Sequence, residues 1–263
     1  MADRLRYGVH NLTAAQLGDL RKAHAGQMAI SDNRGYQFLA GLHGMPGNWC
    51  WHHQGNAKTA KHLQLFLPWH RAYLYNFEMG LRDRVAGVTL PWWDWTLRPP
   101  RQKGLPDAYA AKRVGAAVNP LASFKINLPS TNPPVMGPTR RQPGAVNDLP
   151  TQADVTNALG LGDWMDFTAA LEDIHDQVHG WVGGHMGMVP VAAFDPVFWA
   201  HHCMIDRVWW LWQVKFGNAN IPADLLDVPL APFNMKVRDV LNVNSLGYDY
   251  AAGGTAVPIG GPH

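Results

Sequence analysis

The chain has 263 residues, 22 Lys plus Arg against 20 Asp plus Glu, a formal net charge of +2 and only 16% charged residues, well below the roughly 25% of an average soluble domain. Such a chain is neither disordered nor a polyelectrolyte, and it lacks the strong basic stripe of a nucleic-acid binder. With 47% hydrophobic residues and 12 Trp, there is ample material for one large core, and a single domain over 1–263 is expected. No leader and no run of 18 apolar residues is visible, so the expectation is no membrane span and a cytoplasmic location, or export only with a partner.

In chain order, Thr13 precedes a helical pattern with Leu17, Leu20, His24 and Met28 on one stripe. A Gly- and Trp-rich stretch, 41–55, carries His43, Cys50, His52 and His53, and the run from His62 to Arg84 follows, its second half, from His70, reading as a helix. Residues 98–150 hold ten of the twenty prolines and predict an ordered, meandering loop region. Between Arg98 and Arg141, eight basic residues face the single acid Asp107, and the stretch reads as a solvated basic surface. Residues 151–181 read as helical with a break near Gly160 and Gly162, and Asp195-Pro196 opens a helix that runs to Phe216.

Histidine spacing carries the chemistry. His175 and His179 stand at i, i+4, which turns both rings toward one point on a helix face. On the next helix His201 and His202 are adjacent, about 100° apart, so one ring is expected to face the site. His202 is chosen, with His201 as packing or outer support, and Asp206 is expected to orient a ligand ring or bind Arg207. Upstream stand His43, His62 and His70. Three imidazoles on either side of the Pro-rich region suggest two metal ions with open positions, a set that suits copper, zinc or iron, with affinity peaking at copper. Only Glu78 and Glu172 are glutamates, which argues against a carboxylate di-iron bundle.

These segments also carry a family resemblance. HLQLFLPWHRAYLYNFE from His62, HDQVHGWVGGHM from His175 and FDPVFWAHHCMID from Phe194 resemble the copper-binding motifs of tyrosinases and catechol oxidases, and LPWWDW from Leu90 and LGYDY from Leu246 are similar to further marks of that family. The resemblance implies a mainly α fold, a four-helix bundle around a binuclear copper site, with long ordered loops and little sheet. By it, His43, His62 and His70 hold one copper, and His175, His179 and His202 the other. One departure is that seven residues separate His62 from His70 where the family usually has eight, and His52 and His53 stand nearby. Cys50 lies in the order seen in plant catechol oxidases, where a cysteine is thioether-linked to the second histidine; a buried free thiol is the alternative. About a dozen residues follow the closing tyrosine motif, so no shielding C-terminal domain is expected.

The activity implied is copper-dependent oxidation of o-diphenols to o-quinones with dioxygen as co-substrate, with monophenol hydroxylation left open. Small phenols are the expected partners, with room for a copper-delivery protein. Asp176 stands after the first ligand of the second copper, where tyrosinases often carry Asn beside a glutamate, here Glu172; both are catalytic candidates, and Asp176 favours diphenol oxidation. His185, Met186 and Met188 on the following loop are candidates for substrate contact, although His185 can equally bond a loop carbonyl. The basic stretch can also be read as a rim that attracts anionic phenols. Two rival classes remain: a hemocyanin-like dioxygen carrier, and a zinc hydrolase built on His175 and His179, which leaves His70 unexplained.

Overall fold

The computed structural model describes residues 4–44, 50, 60–100, 102 and 104–252, and only the backbone of 60–62. Strand β1 (Arg4–Arg6) opens it. Helix α1 (Ala14–Met28) starts at a capping box, where Thr13 Oγ1 accepts the Gln16 N–H at 3.2 Å and the Gln16 side chain accepts the Thr13 N–H at 2.9 Å. The short α2 (Tyr36–Gly41) leads into His43. Helix α3 (Ala60–Arg82) begins well before His70 and runs through Pro68. An interior proline penalises a helix, but Leu65, Phe66, Leu67 and Trp69 are at most 2% exposed, and that packing outweighs the local cost.

The Pro-rich region contains α4 (Asp107–Ala110) and two antiparallel hairpins, β2 (Arg113–Val114) with β3 (Ala117–Val118) and β4 (Lys125–Leu128) with β5 (Val135–Pro138). Then come α5 (Gln152–Ala158) and α6 (Trp164–Val182), separated at the expected break and each capped by an N-terminal side chain, Thr151 and Asp163. Helix α7 (Val197–Phe216) follows Asp195-Pro196, with Asp195 Oδ1 accepting the Val197 N–H at 3.1 Å. Strand β6 (Tyr248–Tyr250) pairs in parallel with β1 and joins the two ends of the described chain. The fold is thus mainly helical: α3, α6 and α7 pack together and α2 closes the side that carries His43. Among the described residues no helix is long and apolar enough to cross a membrane.

The basic stretch is a solvated surface at Lys112, Arg113, Lys125 and Arg140, which are exposed, but not at Arg98 and Arg141. Arg98 donates to the carbonyls of Leu149 and Pro150, and Arg141 forks onto Asp195 at 2.6 and 2.9 Å while also reaching the Tyr109 and Leu121 carbonyls. Arg141 thereby fastens the long loop to the start of α7, and Arg98 ties the loop's beginning to its end. Trp92, Trp93 and Trp95 are fully buried, and the Trp93 N–H donates to the Ala200 carbonyl at 2.9 Å, which docks that segment on α7 next to His201.

Asp206 does neither of the things expected of it. It accepts from Arg71 of α3 at 2.5 Å, from Arg6 of β1 at 3.3 Å, and from the Tyr248 and Tyr250 hydroxyls of β6 at 2.8 and 2.5 Å. Arg207 instead lies 4.8 Å from the Trp92 ring centre. Glu78 completes the cluster, accepting from Arg6 Nε and the Leu90 N–H, both at 2.8 Å. Burial raises the Asp206 pKa, but Arg71 and Arg6, with the Tyr250 hydroxyl, more than offset this and hold it below the usual carboxylate value.

Removing one partner from a buried charge cluster leaves the others uncompensated. Asp206→Asn is expected to cost about 3–5 kcal/mol in urea unfolding at neutral pH. Because the folded-state pKa is depressed, the Asp206 contribution is fully present above the unfolded value of about 3.9 and declines as pH falls through the folded value. A wild-type minus variant difference that is flat down to the acid transition would contradict this role.

Candidate metal centre

Each helix delivers its histidines by a different local device. The i, i+4 spacing on α6 sets His175 and His179 with ring centres 4.4 Å apart. On α7, His202 Nε2 lies 3.2 Å from His175 Nε2 and 3.2 Å from His179 Nε2. From α3, the His70 ring stacks on His202 at 4.4 Å, and His43, just past α2, lies 5.6 Å from His70 and 6.2 Å from His202. The structure therefore brings five of the six histidine candidates into two adjoining groups; the His62 side chain lies outside the described residues, as do His52 and His53.

The tautomers follow from the acceptors. His43 Nδ1 lies 3.0 Å from the Val189 carbonyl, His70 Nδ1 2.8 Å from that of Phe66, and His179 Nδ1 2.7 Å from that of Met186. A carbonyl oxygen only accepts, so each of these nitrogens carries the proton and donates it. His175 Nδ1 donates likewise to Asp176 Oδ1 at 3.0 Å. All four rings thus keep Nε2 as the bare, ligating nitrogen, oriented by the outer hydrogen bond that metal-binding imidazoles characteristically make.

The bare Nε2 atoms of His175 and His179 both face His202 Nε2, an arrangement that a cation between the three would hold together. A tetrahedral ion with bonds of about 2.0 Å to imidazole nitrogen has ligand–ligand edges of about 3.3 Å, close to the 3.2 Å separations at His202. Burial first, and neighbouring imidazoles second, pull the His201 and His202 pKa well below the ordinary histidine value, and burial lowers that of His179. The rings are held neutral, the state in which they bind metal. The donor set therefore fits a nitrogen-preferring metal ion at the second group.

His43, Cys50 and His70 offer ligand atoms within 4.8 Å of one another, with Cys50 Sγ 3.7 Å from His70 Nε2 and the thiol fully buried. The thioether partner proposed for it, His62, falls outside the described side chains. His201 is closer to the centre than its sequence position suggested: stacked on His175 at 5.2 Å, it contributes a ligand atom to the same 4.8 Å group as His175, His179 and His202. Side-chain torsions let both neighbours on α7 lean inward, a freedom that the 100° backbone step does not capture.

Above these rings lies a cavity of about 220 Å³ lined by His43, His175, Asp176, His179, Gly180, Met186, Gly187, Val189 and Ala192. Of the substrate-contact candidates, only Met186 is in that lining. His185 Nδ1 accepts the Arg140 N–H at 2.9 Å, and Met188 points to solvent at 48% exposure. The reason is the backbone: Gly183 and Gly184 take left-handed conformations, φ +61° and +57°, and a Cβ at Gly184 would stand 2.1 Å from the Arg140 oxygen, so this turn crosses tightly under residues 140–142 and directs His185 toward them. Glu172 is buried on α6, one turn before Asp176, and does not line the cavity. Val189 and Ala192, which do, lie on the same loop as the substrate-contact candidates, though the sequence singled out neither of them.

Comparison with known proteins agrees with this geometry. Residues 33–215 match the family model described as the common central domain of tyrosinase. A tyrosinase of Streptomyces glaucescens is 36% identical over 63% of this chain and 69% of its own. Unit D of the hemocyanin beta-C chain of Helix pomatia is 29% identical over 94% of this chain, which spans 62% of that relative's length. Among solved structures, a functional unit of octopus hemocyanin superposes with a TM-score of 0.78 at 27% identity, covering 95% of this chain and 68% of its own, and a tyrosinase from Burkholderia thailandensis shares the fold with a TM-score of 0.80 at 21% identity, over 97% and 76%. Proteins of this kind hold two copper ions in histidine clusters and use or bind dioxygen. The chain belongs to the tyrosinase family of binuclear copper proteins.

Proposed function

We propose that this chain oxidises o-diphenols to o-quinones, two molecules of diphenol each losing two electrons and two protons while one dioxygen becomes two waters. The observation that carries this reading is the cavity: His43, His175 and His179 line it directly, His179 is half-buried, and Asp176 at its edge is 47% exposed, so among the described residues nothing covers the approach of a phenol ring to the imidazole cluster. A carrier that binds dioxygen without turnover needs that access closed. The copper pair, when bound, supplies the electron transfer from phenol to dioxygen.

The chain's own contribution is orientation and exclusion of water. His43 and His70 on one side and His175 and His179 on the other present nitrogens whose directions are set by backbone carbonyls and Asp176, and His202 on α7 faces the latter pair. The Phe198 ring stacks on His202 at 4.0 Å and meets His43 edge-on at 4.9 Å, so that the rings are held in a dry aromatic bed. Asp176 holds the His175 tautomer as a pure acceptor, whereas an asparagine also donates and can orient a water that takes the phenol proton. That difference favours diphenols, which need less help in deprotonation.

Two measurements test this. Wild-type protein is expected to bind two coppers per chain and to oxidise 4-methylcatechol, while His70→Ala and His202→Ala each lose about one copper and the activity; full loading and oxidation in both variants would sink the assignment. Asp176→Asn keeps an acceptor for His175 and adds a donor, and the ratio of monophenol to diphenol turnover is expected to rise several-fold at fixed copper loading. An unchanged or lower ratio would place that control in the Gly180 to Phe194 segment.

A further inference from the structure

We infer that Trp69 is an electron donor to the metal centre besides the substrate, acting when dioxygen reaches the site while the cavity holds no phenol, so that the indole rather than a ligating histidine is oxidised. The inference concerns the copper and dioxygen chemistry of the family and holds whichever phenol the cavity takes.

The need for such a donor follows from electron counting. Dioxygen takes four electrons and four protons to become two waters. The copper pair, when bound and reduced, supplies two of the electrons, and a diphenol in the cavity supplies the other two. Without a phenol two are missing, and they are drawn one at a time from the nearest ring that yields them, the protons coming from solvent.

Trp69 is that ring. It precedes His70 on α3, and its indole meets the His70 imidazole edge-on with ring centres 5.0 Å apart and the His43 imidazole at 6.3 Å. Electron transfer weakens steeply with distance, so ring contact with two candidate ligands makes this the favoured donor. Among the described tryptophans it alone has such contact; Trp199 meets Tyr73 at 4.8 Å and Phe198 at 5.2 Å but no imidazole. An indole gives up an electron without giving up its proton. The Trp69 N–H stays bonded to the Ala231 carbonyl at 2.8 Å, an oxygen that accepts a hydrogen bond and is no base. The step is therefore the loss of one electron alone, and it leaves an indole radical cation.

Tyr73 is the rival. Its ring stacks on His43 at 6.3 Å and lies 5.0 Å from Trp69. A phenol, unlike an indole, sheds its proton as it is oxidised. The Tyr73 hydroxyl donates to the Leu39 and Ala40 carbonyls at 2.7 and 3.1 Å, which do not take up that proton, and burial pushes its pKa well above the ordinary tyrosine value. The oxidised state thus rests on Trp69. The way to refill it lies on the outer side: the fully buried indole is covered there by Ala231 and by Phe233, whose ring is 5.5 Å away, and both residues are partly exposed. A one-electron reductant at this loop returns the missing electron across a single layer of residues.

The test reduces copper-loaded protein, removes excess reductant and admits dioxygen without phenol, with freeze-quench EPR and peptide mapping by mass spectrometry as readouts. Wild type is expected to show an indole radical whose hyperfine pattern narrows with ring-deuterated tryptophan, and oxygen adducts at Trp69 severalfold above those at any other tryptophan. Ferrocyanide, a one-electron donor, should lower both signals even with benzoate present to fill the cavity. Trp69→Phe keeps an aromatic ring but no readily oxidised indole; its indole signal should vanish and its adducts should move to His43 and His70. Tyr73→Phe should leave the indole signal and the Trp69 adducts in place. Wild-type adducts spread evenly over the tryptophans, or centred on Trp49, Trp51 or a histidine, overturn the inference, as does an indole signal that survives Trp69→Phe. Signals that ferrocyanide leaves unchanged overturn the route through Ala231 and Phe233. If Trp69→Phe loads no copper, the wild-type map and the deuterium label decide alone.

Discussion

One hydrogen bond per ring organises the site. A neutral imidazole has two nitrogens of equal claim to the proton, and in four of the candidate ligands the Nδ1–H is given to a fixed oxygen: Val189, Phe66 and Met186 carbonyls and the Asp176 carboxylate. That choice leaves every Nε2 bare and aims it inward. The rest of the architecture positions those oxygens. The Phe66 carbonyl comes from α3 itself, while Met186 and Val189 belong to two short 3-10 turns, Gly184–Gly187 and Val189–Phe194; the first is bonded to the long loop through the His185 N–H and the Arg140 carbonyl, and the end of α6 just before it accepts from the Gln142 and Gly144 N–H groups.

The helices that carry the rings are in turn tied by charge in the core. Asp206 is one turn beyond His202 on α7, and Arg71 adjoins His70 on α3; their 2.5 Å contact links the helices of the two histidine groups. Arg6 and the two tyrosines of β6 bond the same carboxylate, so both ends of the described chain meet behind the site. Burying several charges is costly unless each is paired. Here the pairing also sets the register between α3 and α7.

The mouth follows different rules from the floor. The floor is neutral, aromatic and buried. The mouth is made of glycines, a methionine and one carboxylate, and its shape depends on two left-handed glycines that let the chain cross residues 140–142 at close range.

The sequence by itself determined the main helices, the two histidine groups and the kind of metal they suit. These are local properties: helical periodicity places His175 beside His179, the Asp195-Pro196 start sets the phase of α7, and the scarcity of glutamate excludes a carboxylate site. Tertiary structure alone decided the rest. Backbone carbonyls have no residue signature, so the oxygens that fix the tautomers were illegible, as were Val189 and Ala192 in the lining. Whether a cation faces water or a buried partner depends on what packs against it, so Arg98 and Arg141 looked like surface and proved to be fasteners, and Asp206 found its partners on β1, α3 and β6 rather than next door. The direction of His185 and Met188 depended on two glycine dihedrals. Long-range pairing and backbone course are set by the packed core as a whole, and no short window of residues contains them.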